Sequence, residues 1–140
     1  MRVDFYVLTT DQVHNAWLVV ARLIAKAYDA NHNVFVLCNT AEDAQYLDEL
    51  LWSFKPERLL PHQLQTITSV APIQIGFGPE PKNFDDILIN CSTYIPTFHK
   101  NFKRIIEVVL NTENAKAMNR KHYCDYRALG YELVVQSKIE

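Results

Sequence analysis

The chain has 140 residues, 49% of them hydrophobic and 21% charged, with a formal net charge of −2. That length and balance fit one ordinary globular domain with a real core and exclude a disordered chain. The slight negative charge excludes a surface with general affinity for nucleic acid.

Residues 3–8 are a short apolar run and predict a buried strand, after which Thr9, Thr10 and Asp11 offer helix N-caps. Val13, Ala16, Trp17, Val20, Leu23, Ile24 and Ala27 then follow helical spacing over residues 13–28. Residues 31–33 read as a turn and 34–38 as a second buried strand. Asn39 and Thr40 can cap a helix over 41–52, with Glu42 and Asp43 in its first turn suiting the helix dipole. Its apolar face is Ala44, Leu47, Leu50 and Leu51. Pro56 and Pro61 break the following segment. Residues 70–77, with Ile73 and Ile75, predict a third strand, and Gly76, Gly78, Pro79 and Pro81 a loop. Residues 85–90 and 104–110 predict the fourth and fifth strands, with a short helix over 96–102 between them. Strands alternating with helices predict an α/β fold whose parallel or mostly parallel sheet is covered on both faces. No repeat or domain boundary interrupts residues 1–140.

The last stretch, residues 112–133, predicts a helix, a C-capping Gly130 and a final strand over 131–135. Lys116, Arg120, Tyr123 and Arg127 recur at spacings of four, three and four and share one helix face. Ala115, Met118, His122, Tyr126 and Leu129 form the less charged face, expected to pack inward. Residues 100–127 hold seven cations against three anions, half of all the Lys and Arg in the chain. Such a face suits an acidic partner with an apolar group, and a plain solvated helix carries the same pattern.

Phosphate-loop chemistry has no support. Gly76, Gly78 and Gly130 are the only glycines, and none follows the first strand. His14, His32, His62, His99 and His122 show no metal-ligand spacing. Cys38, Cys91 and Cys124 lie far apart, which favours a reducing compartment over a disulfide framework. The amino-terminal residues run straight into a strand pattern with no signal peptide or apolar run of spanning length, so the cytoplasm is expected. Cys91 follows a strand but lacks a nucleophile-elbow sequence, and reads as structural. Asp85 and Asp86 read as a solvated strand start, because neighbouring strand residues point to opposite faces.

Residues 47–62, LDELLWSFKPERLLPH, gather a Trp, a Phe and Leu residues around a Pro-broken loop. They are either core or an apolar docking patch. LDELLW (47–52), LPH (60–62), DILIN (86–90), EVV (107–109) and YRALGY (126–131), in that order, resemble the chi subunit family of bacterial DNA polymerase III. The resemblance covers nearly the entire chain and rests on the ordered set. It implies a single Rossmann-like, three-layer domain without nucleotide binding, with no catalysis of its own, no cofactor and no metal. It implies an accessory role at the clamp loader, pairing with the psi subunit and separately binding the acidic C-terminal tail of single-stranded DNA-binding protein. Position by position, it assigns the tail to Lys116, Arg120 and Tyr123, with Val109. It assigns psi to Trp52 and Leu59, with Leu60, Pro61 and His62. Cys124 stands where some relatives carry a basic residue.

Two rival readings follow from the residues alone. One is a small α/β enzyme using Cys91 or Asp86. The other is a direct single-stranded DNA binder that stacks bases on Tyr123 and Tyr126.

Overall fold

The computed structural model describes residues 1–55, 59–66 and 70–139. Pro56, read above as a chain breaker, lies outside them. The elements run β1 (Arg2–Leu8), α1 (Val13–Asp29), β2 (Val34–Cys38), α2 (Ala41–Ser53), β3 (His62–Leu64), β4 (Ile73–Gly76) and β5 (Ile87–Cys91). A 3-10 turn (Thr97–Asn101), β6 (Arg104–Val109), α3 (Glu113–Ala128) and β7 (Glu132–Ile139) complete the order. The strands form one sheet in the order β3-β4-β2-β5-β6-β1-β7, and every pairing is parallel. This is the expected Rossmann-like α/β architecture.

The alternation of side chains along each strand builds the three layers. Val34, Val36 and Cys38 of β2 join a core with Ile24 of α1 and Leu47 and Leu51 of α2. Phe35 and Leu37, one residue out of phase, join Phe5, Phe98, Phe102 and Tyr126 on the other side. Each large apolar side chain fully buried this way is worth about 1.5–3 kcal/mol. Asp4, fully buried on β1, is held by Arg2 at 3.0 Å and Arg104 at 2.6 Å.

Local signals act mostly where the residues predict. Thr40 Oγ1 accepts from the Asp43 amide at 3.1 Å, and Thr112 Oγ1 from that of Ala115 at 3.2 Å. Gly130 takes the left-handed φ of 81° just after α3, where a Cβ would be strained. The first cap differs. α1 starts at Gln12 without a side-chain cap, and Thr10 accepts the Gln12 amide outside the helix. Asn39 likewise caps nothing and instead accepts from the Thr93 amide.

Three strands also differ in extent and one is new. The third strand shortens to Ile73–Gly76, leaving Val70 out in solvent. β3 was not expected: His62, Gln63 and Leu64 carry no apolar run and are extended because they pair with Ile73, Gln74 and Ile75. β5 begins after Asp86, whose carboxylate instead accepts from the Asn33 amide and meets His32 Nδ1 at 3.0 Å. β7 runs on to Ile139 beside β1.

Candidate functional site

α3 is the most sparsely buried of the three helices. Of its 16 residues only His122 and Tyr126 are buried, against eight in α1. Leu129, expected to pack inward, is exposed, because it lies past the last helical turn that faces the sheet. Arg120 and Arg127 are exposed and Lys116 is half-buried. Among the described residues none of these three has an ion-pair partner, whereas Lys121 pairs with Asp125 at 3.4 Å. Tyr123 is half-buried, with its ring centroid 5.5 Å from that of Phe5. Helical spacing thus brings Lys116, Arg120 and Tyr123 together on one ridge: unpaired cations around a ring whose inner edge is fixed by the core.

Val109 is not on that ridge. It is buried at the carboxyl end of β6 and lines a cavity of about 260 Å³ with Trp17, Ala115, Met118, Asn119 and His122. Lys116, Arg120 and Tyr123 do not line it. The cavity opens at the carboxyl ends of the strands, where ligands of open α/β sheets collect.

Behind α3 lies a polar group that pattern reading missed. Glu107, inside the run IIEVV of β6, is buried among three polar partners. Asn90 Nδ2 donates to Oε2 at 2.8 Å and the Tyr126 hydroxyl to the same oxygen at 2.7 Å. His122 Nδ1 meets Oε1 at 3.0 Å. The legible signal was a lone carboxylate inside an apolar run, together with a His and a Tyr four residues apart on one helix.

Glu107 holds the His122 proton more tightly than an ordinary imidazole holds it, through the hydrogen bond first, against an opposing push from burial. A His with a raised folded-state pKa adds stability that is full below its unfolded value, near 6.5, and is lost as pH rises through the folded value. The stability advantage of wild type over His122→Asn is therefore expected to be larger at pH 6 than at pH 8.5. Urea unfolding of both proteins at the two pH values measures it, and equal differences would contradict it.

The second surface lies at the other edge of the sheet. Trp52, at the end of α2, is 57% exposed and Leu59 is 74% exposed. The Trp52 ring rests 4.4 Å, centroid to centroid, from that of His62. Leu60 and His62 are not on this surface. Leu60 is 1% exposed in the core shared with α2, and His62 is buried with Nδ1 2.6 Å from the Leu60 carbonyl and Nε2 3.1 Å from that of Asp48. Leu59 therefore stands in solvent and its neighbour Leu60 in the core. Pro61 is half-buried between them.

The rival readings rest on Cys91, Asp86, Tyr123 and Tyr126. Burial pushes the Cys91 thiol well above its ordinary range, with Cys38 and Glu107 adding to the push. Tyr126 is fully buried and offers no face to a base. Among the described residues no group of three or more His, Cys, Asp or Glu is placed to hold a metal ion. No helix among them is long and apolar enough to cross a membrane.

Comparison with known proteins decides the family. The family described as "DNA polymerase III chi subunit, HolC" matches residues 1–134. The chain belongs to the chi family of DNA polymerase III subunits. A chi subunit of Pseudomonas aeruginosa is 35% identical over 132 residues, covering 94% of this chain and 93% of the relative. Those of Haemophilus influenzae and Escherichia coli are each 28% identical over 137 residues, and cover 96% and 92% of this chain and 95% and 92% of themselves. Among solved structures, domain 2 of the DEAD-box helicase Mss116p, bound to an RNA duplex, superposes with a TM-score of 0.65 at 10% identity. The match covers 98% of this chain and 65% of that one, and it speaks to the fold alone. Chi-family membership places the chain among the accessory parts of a replicative polymerase holoenzyme.

Proposed function

We propose that this chi-family chain is a non-catalytic adaptor of the replicative polymerase in the cytoplasm. It joins the clamp loader through psi and, on a separate surface, captures the acidic C-terminal tail of single-stranded DNA-binding protein. The observation that carries this reading is the ridge of α3. Lys116, Arg120 and Arg127 have no ion-pair partner among the described residues and surround the half-buried ring of Tyr123. Cations already paired at home would have to break a bond before meeting an acidic tail; these do not. The Tyr123 ring and the aliphatic stems of the cations can cover the tail's terminal apolar residue. The exposed Trp52 and Leu59 lie at the far edge of the sheet, which leaves room for psi and the tail together.

Arg120→Ala is expected to weaken tail binding about tenfold and Lys116→Ala less, because a guanidinium grips a carboxylate bidentately and an ammonium as a point charge. Binding should fall further as salt rises, since exposed charges are screened. The share due to apolar burial should survive. Calorimetric titration of a tail peptide into each protein at low and high salt tests this. Equal affinity for wild type and Arg120→Ala would place the tail site elsewhere.

A further inference from the structure

We infer that Glu107 is the positioning residue of the tail site: it anchors α3 on the sheet and so sets the height and rotation of the Lys116–Arg120–Tyr123 ridge. The inference rests on the tail-binding reading above.

α3 has little apolar surface with which to hold itself. The two residues it buries, His122 and Tyr126, both bond to Glu107. They lie four positions apart and so span one turn of one face. The carboxylate is itself fixed from the sheet side. Glu107 is the register partner of Asn90 on the neighbouring strand, and Asn90 Nδ2 donates to it. Asn90 is held in turn, donating to the Tyr94 carbonyl at 2.8 Å and accepting from the Ser92 amide at 3.1 Å and the Ser92 hydroxyl. An unbroken chain of bonds therefore runs from the β5–β6 pair into the middle of α3.

Apolar contacts tolerate sliding, whereas hydrogen bonds fix distance and direction. A helix attached through a buried carboxylate is held at one rotation. Lys116 and Arg120 precede the two anchored residues on the same helix and Tyr123 lies between them, so any roll of α3 moves all three relative to β1 and Phe5. Fully satisfied buried networks rigidify in this way, and a network missing one partner leaves buried groups unpaired.

Glu107→Gln tests the inference. It keeps the shape of the side chain but replaces one acceptor oxygen with an amide donor. At pH 6, where His122 is protonated, that donor faces either the Asn90 amide or the His122 Nδ1–H, and the measurements are made there. Amide hydrogen exchange in α3 is expected to quicken at least about tenfold while exchange in α1 stays unchanged, and tail-peptide affinity is expected to fall about tenfold. The Arg120→Ala loss should also shrink to about two- or threefold in the Glu107→Gln background, because the guanidinium is already misplaced. A general loss of stability would leave that loss at its full size.

Unchanged exchange in α3 would overturn the inference. So would faster exchange with wild-type tail affinity, or a full Arg120→Ala loss in the Glu107→Gln background. If Arg120→Ala has no effect in wild type, the tail reading itself falls, and α3 exchange alone then decides whether Glu107 is the anchor. Should Glu107→Gln fail to fold, Tyr126→Phe removes one of the three bonds and keeps the ring. It is expected to shift exchange and affinity in the same directions by a smaller factor, and no shift in either would overturn the inference.

Discussion

Leu60→Ala is expected to lower folding stability by about 2–5 kcal/mol, the cost of deleting a large aliphatic side chain from a packed core. Leu59→Ala, one residue earlier, is expected to change it by less than about 0.5 kcal/mol. Leu60 is 1% exposed and belongs to the core that also contains Leu47 and Leu51 of α2 and Ile73 and Ile75 of β4. Its loss leaves a hole in the core shared by α2 and β4. Leu59 stands in solvent and leaves none. Urea unfolding of the two variants, with equal m-values, separates them. Stability losses of similar size would mean that Leu60 is not the inward member of the pair.

Trp52→Ala is expected to weaken a psi complex by about 2 kcal/mol or more, roughly thirtyfold, because exposed aromatic anchors dominate interfaces of this kind. The isolated protein should stay folded. More than half of the ring faces solvent, and its neighbour His62 keeps both of its carbonyl contacts without it. Leu59→Ala should weaken the complex less, since it removes less area. Co-purification and titration with psi, beside a thermal melt of the variant alone, give the answer. A variant that unfolds while its soluble fraction still binds psi normally would return Trp52 to a structural role.

These two residues show where pattern reading stops. Residues 59 to 62 are Leu, Leu, Pro and His, and nothing in their order says which leucine turns inward. That is settled by the tertiary packing just before β3, which puts Leu60 in the core with Leu47, Leu51, Ile73 and Ile75. The family resemblance grouped His62 with the docking patch. It is buried instead, because α2 ends close enough for the Asp48 carbonyl to meet its ring.

The tail site divides the same way. Helical spacing alone places Lys116, Arg120 and Tyr123 on one face, since residues three and four apart must align. Whether those cations are free is a question about distant partners. Lys121 finds Asp125 one turn away, and Lys116, Arg120 and Arg127 find none among the described residues. Val109 was assigned to the same site, but β6 carries it into the wall of the cavity beside α3.

The sequence by itself determined the α/β alternation, the two working caps at Thr40 and Thr112, the left-handed Gly130 and the ridge of α3. All of these depend on residues within about one helical turn or one strand of each other. Only the tertiary structure decided that Leu60 is core and Leu59 is surface, that β3 exists, and that Glu107 reaches Asn90, His122 and Tyr126. Those outcomes depend on chain segments 11 to 19 residues apart meeting across the sheet. A buried carboxylate is tolerable only where such partners converge, and their convergence is a property of the assembled layers rather than of any local pattern.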